Sequence, residues 1–229
     1  MTAIASIYTT QGFVVGSDSL RSKRNGEELS VQKIFLFNHP ALNGAHAWTN
    51  AEEISRSNQP PFRFSQHTQE LLAAKANGVH KCLADLVAET ADELYKRLLD
   101  YCPGGVIDPC VLSDTEVASA VFVAYLDNRP QRVNLVFPHH KGLLSNPYLK
   151  PTRPALDDFF LLAGSLRVWE DVKPPAPPAS LADAIDLVTK YLNRCVEKRF
   201  DYDDCKTIGG DIHIAKVTPQ KADWEFAPK

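Results

Sequence analysis

The second residue of the chain is a threonine, and removal of Met1, which a small second residue permits, would leave its α-amine free. A terminal threonine then carries a nucleophile and a base in one residue: the hydroxyl attacks a carbonyl while the amine takes the proton. An α-amine has a pKa near 8, so an appreciable fraction is neutral at physiological pH. A neighbouring lysine lowers that pKa further, and a carboxylate beside the lysine holds it charged and oriented. The minimum kit is therefore a free threonine, a lysine and an aspartate at convergent strand positions. Asp18 closes the run Phe13-Val14-Val15-Gly16-Ser17, and Lys33 opens the run Ile34-Phe35-Leu36-Phe37. Each has an ordinary reading as well: Thr2 as an exposed terminus, Asp18 as a strand-end turn, Lys33 as a surface lysine.

These residues need strands to bring them together. Thr2 to Tyr8 and Phe13 to Asp18 flank the turn signal Gln11-Gly12 and predict a hairpin. Lys33 to Phe37 and Ala41 to Trp48 predict a third and fourth strand, separated by Asn38-His39-Pro40. A short helix is expected from Asn50 to Arg56, stopped by Gln59-Pro60-Pro61. From Ser65 to Tyr101 apolar residues recur in steps of three and four, as amphipathic helix requires, with Gly78 dividing the region. Strands are expected at Val117 to Leu126, Arg132 to Phe137 and Phe159 to Ala163, with a turn at His139-His140-Lys141-Gly142. After the proline run 174–178, Ser180 and Asp183 make a start resembling a capping box for a helix through Val196. The last expected strand is Asp211 to Val217, after Gly209-Gly210. Helices grouped between groups of strands argue an α+β fold, or two sheets with helices outside, rather than alternating βαβ units.

A chain of 229 residues, 44% hydrophobic and 23% charged, suits a single domain spanning 1–229. A net charge of −3 without a basic stripe gives no reason to expect nucleic acid. The five cysteines have irregular spacing and no CxxC pair, which reads as reduced thiols in a cytoplasmic protein rather than a disulfide framework or zinc site. The start lacks the pattern of a signal peptide, and no apolar stretch reaches the ~18 residues that span a membrane. No cofactor or metal is expected: Gly209-Gly210 lacks a P-loop lysine, and His139-His140 reads as a hydrated turn.

The order Thr2-Ala-Ile-Ala-Ser-Ile, Gly12-Phe-Val-Val-Gly-Ser-Asp18-Ser, then Gln32-Lys33-Ile-Phe resembles the opening of proteasome β-type subunits, members of the N-terminal-nucleophile hydrolases. The resemblance extends to Leu162-Ala-Gly164-Ser165 and to Asp204-Cys-Lys-Thr207-Ile-Gly209-Gly210, and is thin between Ala51 and Val117. It implies a four-layer αββα fold. It also implies Thr2 as nucleophile, Asp18 and Lys33 as its supporting pair, Ser165 as an auxiliary hydroxyl, and Asp204 and Thr207 as outer partners. Ser165 reads equally as a helix cap, and Asp201 is a rival for the role of Asp204. The segment Ala47-Trp48-Thr49 stands where the family carries glycine, so the Trp48 N–H is the expected oxyanion donor, Thr49 lies beside it at the substrate site, and the Trp48 side chain is expected to reshape or block the pocket.

The chain looks closest to bacterial proteasome-like threonine peptidases, including the hexameric threonine peptidase and the ancestral β-subunit group. The implied activity is hydrolysis of peptide or other amide bonds. The rival readings are a catalytically silent structural subunit and a small-molecule amidohydrolase. The resemblance further implies self-assembly into rings or stacks, with an ATP-dependent unfoldase as a partner such a ring could need.

Overall fold

The computed structural model describes residues 3–22, 28–39, 42–50, 52–75, 78, 80–107, 115–152 and 160–228. Thr2 lies outside them, as does Cys110. The elements are β1 (Ile4–Thr9), β2 (Gly12–Asp18), β3 (Leu20–Ser22), β4 (Glu28–Ser30), β5 (Ile34–His39), β6 (Leu42–Asn50), β7 (Glu53–Ile54), β8 (Phe62–Arg63), α1 (Phe64–Lys75), α2 (Leu83–Tyr101), β9 (Glu116–Leu126), β10 (Arg129–His140), β11 (Leu143–Leu144), β12 (Tyr148–Thr152), β13 (Phe160–Ala163), α3 (Leu166–Val172), α4 (Leu181–Glu197), β14 (Ile212–Val217) and β15 (Ala222–Phe226). The class is α+β, as expected.

Two antiparallel sheets carry the architecture. One has the strand order β13-β1-β2-β14-β15; the other runs β11-β10-β9-β6-β5, with β12 also paired to β10. Side-chain alternation along each strand sorts residues between two faces. On β2, Val14 belongs to a buried cluster with Ala184, Val188, Tyr191 and Leu192 of α4, whereas Phe13 and Val15 belong to a cluster built from both sheets. The six-stranded sheet divides the same way: Trp48, Phe122, Leu135 and Phe137 pack with α1 and α2, while Ala45, Ala47, Val121 and Val123 join Phe13, Val15 and Ala215.

Local chemistry explains the main helices. Ser180 and Asp183 form a reciprocal capping box at the start of α4, with Asp183 N–H donating to Ser180 Oγ at 3.1 Å and Ser180 N–H to Asp183 Oδ2 at 3.0 Å. From there Ala184, Leu187, Val188, Tyr191, Leu192 and Cys195 make one buried face. The helix sits so close to β2 that a Cβ at Gly16 would come within 2.2 Å of Val188 Cγ1, so only glycine fits there.

Several local expectations are corrected. Asn50 to Arg56 is not a helix: Asn50 takes a positive φ of 63° at the end of β6, and Glu53–Ile54 pairs with Phe62–Arg63. Glu53 is held there by Arg21 at 3.2 Å and Arg63 at 3.0 Å. His139 and His140 continue β10, and the reversal falls at Lys141-Gly142, where φ is 50° and 83°. Helix α3 and strands β12 and β15 were not anticipated; Asp211 to Val217 is followed by β15 across a reversal closed by Thr218 N–H donating to the Lys221 carbonyl at 2.9 Å.

Candidate active site

The β1–β2 hairpin places the start of β1 against the end of β2. The Ala3 N–H, which belongs to the peptide bond joining Thr2 to Ala3, donates to Asp18 Oδ1 at 2.9 Å, and the Asp18 N–H returns to the Ala3 carbonyl at 3.3 Å. Lys33, just before β5, donates from Nζ to Asp18 Oδ1 at 2.8 Å and to the Leu20 carbonyl at 2.7 Å. Asp18 Oδ2 accepts from the N–H groups of Leu20 and Gly209, each at 3.2 Å. Asp18 and Lys33 are both buried. A buried carboxylate survives when its lone pairs are met by donors, and here three backbone N–H groups and one ammonium meet them. Burial lowers the pKa of Lys33 below its ordinary value, and the attraction of Asp18 only partly restores it.

The sequence-predicted partners fall at different distances from this pair. The loop before β14 reaches it directly, through Gly209 and through the Asp211 N–H, which donates to Ser19 Oγ at 2.8 Å. Thr207 sits half-buried at the base of that loop. Asp204 is half-buried in a short 3-10 turn, with Oδ1 enclosed and without a hydrogen-bond partner among the described residues. Its rival Asp201 is at the surface, paired with Lys198 at 2.7 Å. Ser165 is fully buried and caps α3, its Oγ accepting the Val168 N–H at 3.2 Å. It follows Gly164, whose φ of +148° and close approach to Ala3 bring this corner beside the start of β1: a Cβ there would stand 3.3 Å from Ala3 Cα.

Trp48 does not act as the sequence suggested. Its indole is buried on the helix side of the sheet, with ring centroids 5.0 Å from Phe64 and 6.2 Å from Phe137, and its Nε1–H donates to His46 Nδ1 at 3.1 Å. Parity along β6 sends Trp48 to the core and its neighbours Ala47 and Thr49 to the opposite face, so its bulk leaves the cleft open. The Trp48 backbone N–H donates to the Lys33 carbonyl at 3.2 Å.

Thr49 does line a cleft, about 200 Å³ in volume, between the two sheets. Its walls are Ile4 and Ala163 from one sheet and Thr49, Ser119, Val121, Asn134 and Lys150 from the other. Thr49 Oγ1 and Ser119 Oγ share a hydrogen bond of 2.6 Å, and Asn134 Oδ1 is buried without a hydrogen-bond partner among the described residues. Sequence reasoning missed Ser119, Asn134 and Gly209. Period-two parity on β9 and β10 carries the signal for the first two, whereas a backbone N–H such as that of Gly209 leaves none. Among the described residues no cluster of His, Cys, Asp or Glu side chains is arranged to hold a metal ion. No described helix is long and apolar enough to cross a membrane.

Comparison of the whole structure with solved proteins finds one fold repeatedly. The Gly-1 mutant of Anbu from Hyphomicrobium sp. strain MC1 matches with a TM-score of 0.66 and 10% identity, over 100% of this chain and 89% of that one. Anbu from Pseudomonas aeruginosa, solved as a helical assembly, matches at 0.60 and 12%, over 98% and 88%. Anbu, the ancestral β-subunit, from Yersinia bercovieri matches at 0.59 and 10%, over 99% and 88%. The chain has the Anbu fold. No family model matches the sequence, and no curated protein does. These findings correct the identification drawn from sequence motifs. Identities of 10–12% to Anbu proteins carry the fold alone, and placement of the chain among proteasome β-type threonine peptidases is withdrawn.

Proposed function

We propose that this chain hydrolyses peptide or other amide bonds with Thr2 as nucleophile and its liberated α-amine as general base. The observation that carries the reading is the Ala3 N–H bonded to Asp18 Oδ1, the same oxygen that receives Lys33 Nζ. That N–H is the amide of the Thr2–Ala3 peptide bond, and this nearness along the chain supports Thr2 as the residue served by the buried ion pair. In this reading the Lys33 ammonium lowers the pKa of the amine, and Asp18 fixes the lysine. The Thr2 hydroxyl adds to the substrate carbonyl as its proton passes to the amine, and the C–N bond breaks as that proton passes to the leaving nitrogen. An acyl ester on Thr2 remains, and water, deprotonated by the freed amine, cleaves it. Ser165, Asp204 and Thr207 support the surroundings of the pair, and Thr49 with Ser119 and Asn134 contacts the acyl side of the substrate.

The cleft is smaller than the roughly 300 Å³ at which drug-sized pockets begin. That favours one side chain or a small acyl group over an extended peptide buried along its length, and so keeps the small-molecule amidohydrolase in view. A second reading, a catalytically silent subunit, is favoured by the Trp48 N–H, which is engaged by the Lys33 carbonyl rather than free to receive an oxyanion. Thr2→Ala separates the two: hydrolysis present in the parent and lost in the variant, with unchanged unfolding, supports the enzyme, and hydrolysis retained in the variant refutes it.

The proposal includes a single domain over 1–229 in which α4 and α3, the two sheets, and α1 with α2 stack as four layers αββα. The three buried clusters, two joining a sheet to helices and one shared by both sheets, support that order. It also includes self-association into rings or stacks, which the helical assembly of the Pseudomonas aeruginosa Anbu complex supports by fold. A partner ATP-dependent unfoldase belongs to the same reading.

A further inference from the structure

Lys150 brings a positive charge to the cleft, and strand parity fixes the side on which it stands. Leu149 of β12 and Leu135 of β10 pack on the helix side of the six-stranded sheet. Alternation therefore sends Lys150 and Asn134, which are paired in the β10–β12 ladder, to the side that meets the other sheet. Val121 of β9 and Ala47 of β6 complete that row, and both belong to the cluster shared by the two sheets. Lys150 and Asn134 line the cleft, as this placement requires. Lys150 is exposed at its mouth, with Nζ 5.3 Å from the centroid of the Tyr148 ring, and no carboxylate pairs with it among the described residues. Enclosed polar atoms are nearly always paired, so the orphaned Oδ1 of Asn134 beside it calls for a physical account. The carboxylate that lines the cleft is Glu116, which accepts from Asn50 Nδ2 at 3.2 Å and stands opposite Pro138. Along β9 it lies about 17 Å from Val121, the residue in the Lys150 row. The cleft is therefore basic at one end and acidic at the other.

We propose that Lys150 and Asn134 determine specificity for an acyl group that ends in a carboxylate, so that the substrate is an amide whose acyl chain carries its anion away from the scissile carbonyl. The Lys150 ammonium donates to the carboxylate. The Asn134 amide, which no partner holds in one orientation, turns to offer its Nδ2–H. Glu116 repels the same anion and so directs it to the Lys150 end. Strand spacing sets the length of the chain. Thr49 on β6 is separated from β12 by β9 and β10, a span of about 14 Å that the lysine stem covers in part. Between them the lining is apolar, from Ile4, Val121, Val136 and Ala163, which suits methylene groups. Because Lys150 is at the mouth, the ion pair adds a modest preference, roughly fivefold, that salt weakens.

The substrate class rests on the proposed hydrolase; the carboxylate site does not, and the two are tested apart. Binding is read by NMR of the full chain, through the side-chain NH2 of Asn134, with adipate and its uncharged diamide adipamide as probes. Adipate should shift that resonance and bind roughly fivefold tighter than adipamide. Lys150→Met, with an unchanged urea midpoint, should abolish the difference, and added salt should shrink it. Failure of adipate to shift Asn134, equal binding of the two probes, or a preference that survives Lys150→Met overturns the proposal. Turnover is read with a coumarin amide of adipic acid beside the same compound ending in a carboxamide. The parent should favour the acid roughly fivefold in kcat/KM, mainly through KM. Lys150→Glu should reverse the preference towards an acyl chain ending in an amine. Hydrolysis that ignores the terminal charge overturns the carboxylate site and leaves the hydrolase standing. Adipate binding as described, with neither amide cleaved by protein that begins at Thr2, refutes the hydrolase reading and leaves the site standing.

Discussion

The Asp18 carboxylate and the Lys33 ammonium should not be equally costly to remove, and the asymmetry follows from what each leaves behind. In Lys33→Met the carboxylate keeps three backbone donors, Ala3, Leu20 and Gly209, and a methionine fills much of the space of the lysine stem. The losses are the two bonds from the ammonium, to Asp18 Oδ1 and to the Leu20 carbonyl, together about 3 kcal/mol. In Asp18→Ala those three N–H groups are orphaned and a buried ammonium retains only the Leu20 carbonyl. Stranding one partner of a buried pair costs about 3–5 kcal/mol, and the orphaned N–H groups add to it. Asp18→Ala should therefore destabilise by ~4 kcal/mol or more, at least ~1 kcal/mol beyond Lys33→Met. Adding Lys33→Met to Asp18→Ala should recover stability, because it removes the stranded charge. Raising the pH should do the same: the stranded lysine binds its proton less tightly folded than unfolded, so the folded state gains as pH rises. Urea unfolding followed by tryptophan fluorescence measures all of these. A Lys33→Met cost equal to or above that of Asp18→Ala, or a double variant less stable than Asp18→Ala, would refute the bonding pattern described.

Other expectations are simpler. Gly16→Ala should destabilise by about 1–3 kcal/mol, since its Cβ would collide with Val188 and push α4 off the sheet; the midpoint of urea unfolding reports it. Ser180→Ala should cost about 1 kcal/mol by deleting the N-cap of α4, whereas Ser180→Asp should cost less in the same assay. His46 is fully buried, and burial drives its pKa from 6.5 to about 3. The unfolded chain therefore binds a proton that the folded one refuses, and stability falls from pH 6.5 towards pH 3 by about 1.4 kcal/mol per unit from this group; His46→Gln should flatten that slope in unfolding measured across the range.

The pairing of Asp18 with Lys33 was legible because both lie at strand ends in a hairpin-rich segment, where residues 15 apart can meet. Helices α1, α2 and α4 were legible from periodicity and from the Ser180–Asp183 cap. The side to which Trp48 points was misjudged because motif alignment names a position without its parity; alternation along β6 sends the Trp48 indole to the helix side of the sheet and Thr49 to the cleft. The strand pair at Glu53 and Phe62 was missed because two residues carry no period, and it is fixed by the distant cation Arg21. Gly209 donates to a carboxylate 191 residues away, and backbone donors leave no mark on residue type.

The most direct trial is intact-protein and peptide mass spectrometry after exposure to a β-lactone, with Thr2→Ala alongside. The account predicts a parent chain beginning at Thr2, one acyl adduct mapped to that residue, and none in the variant. A parent that begins at Thr2 yet stays unmodified, or a variant that is acylated equally, would contradict it.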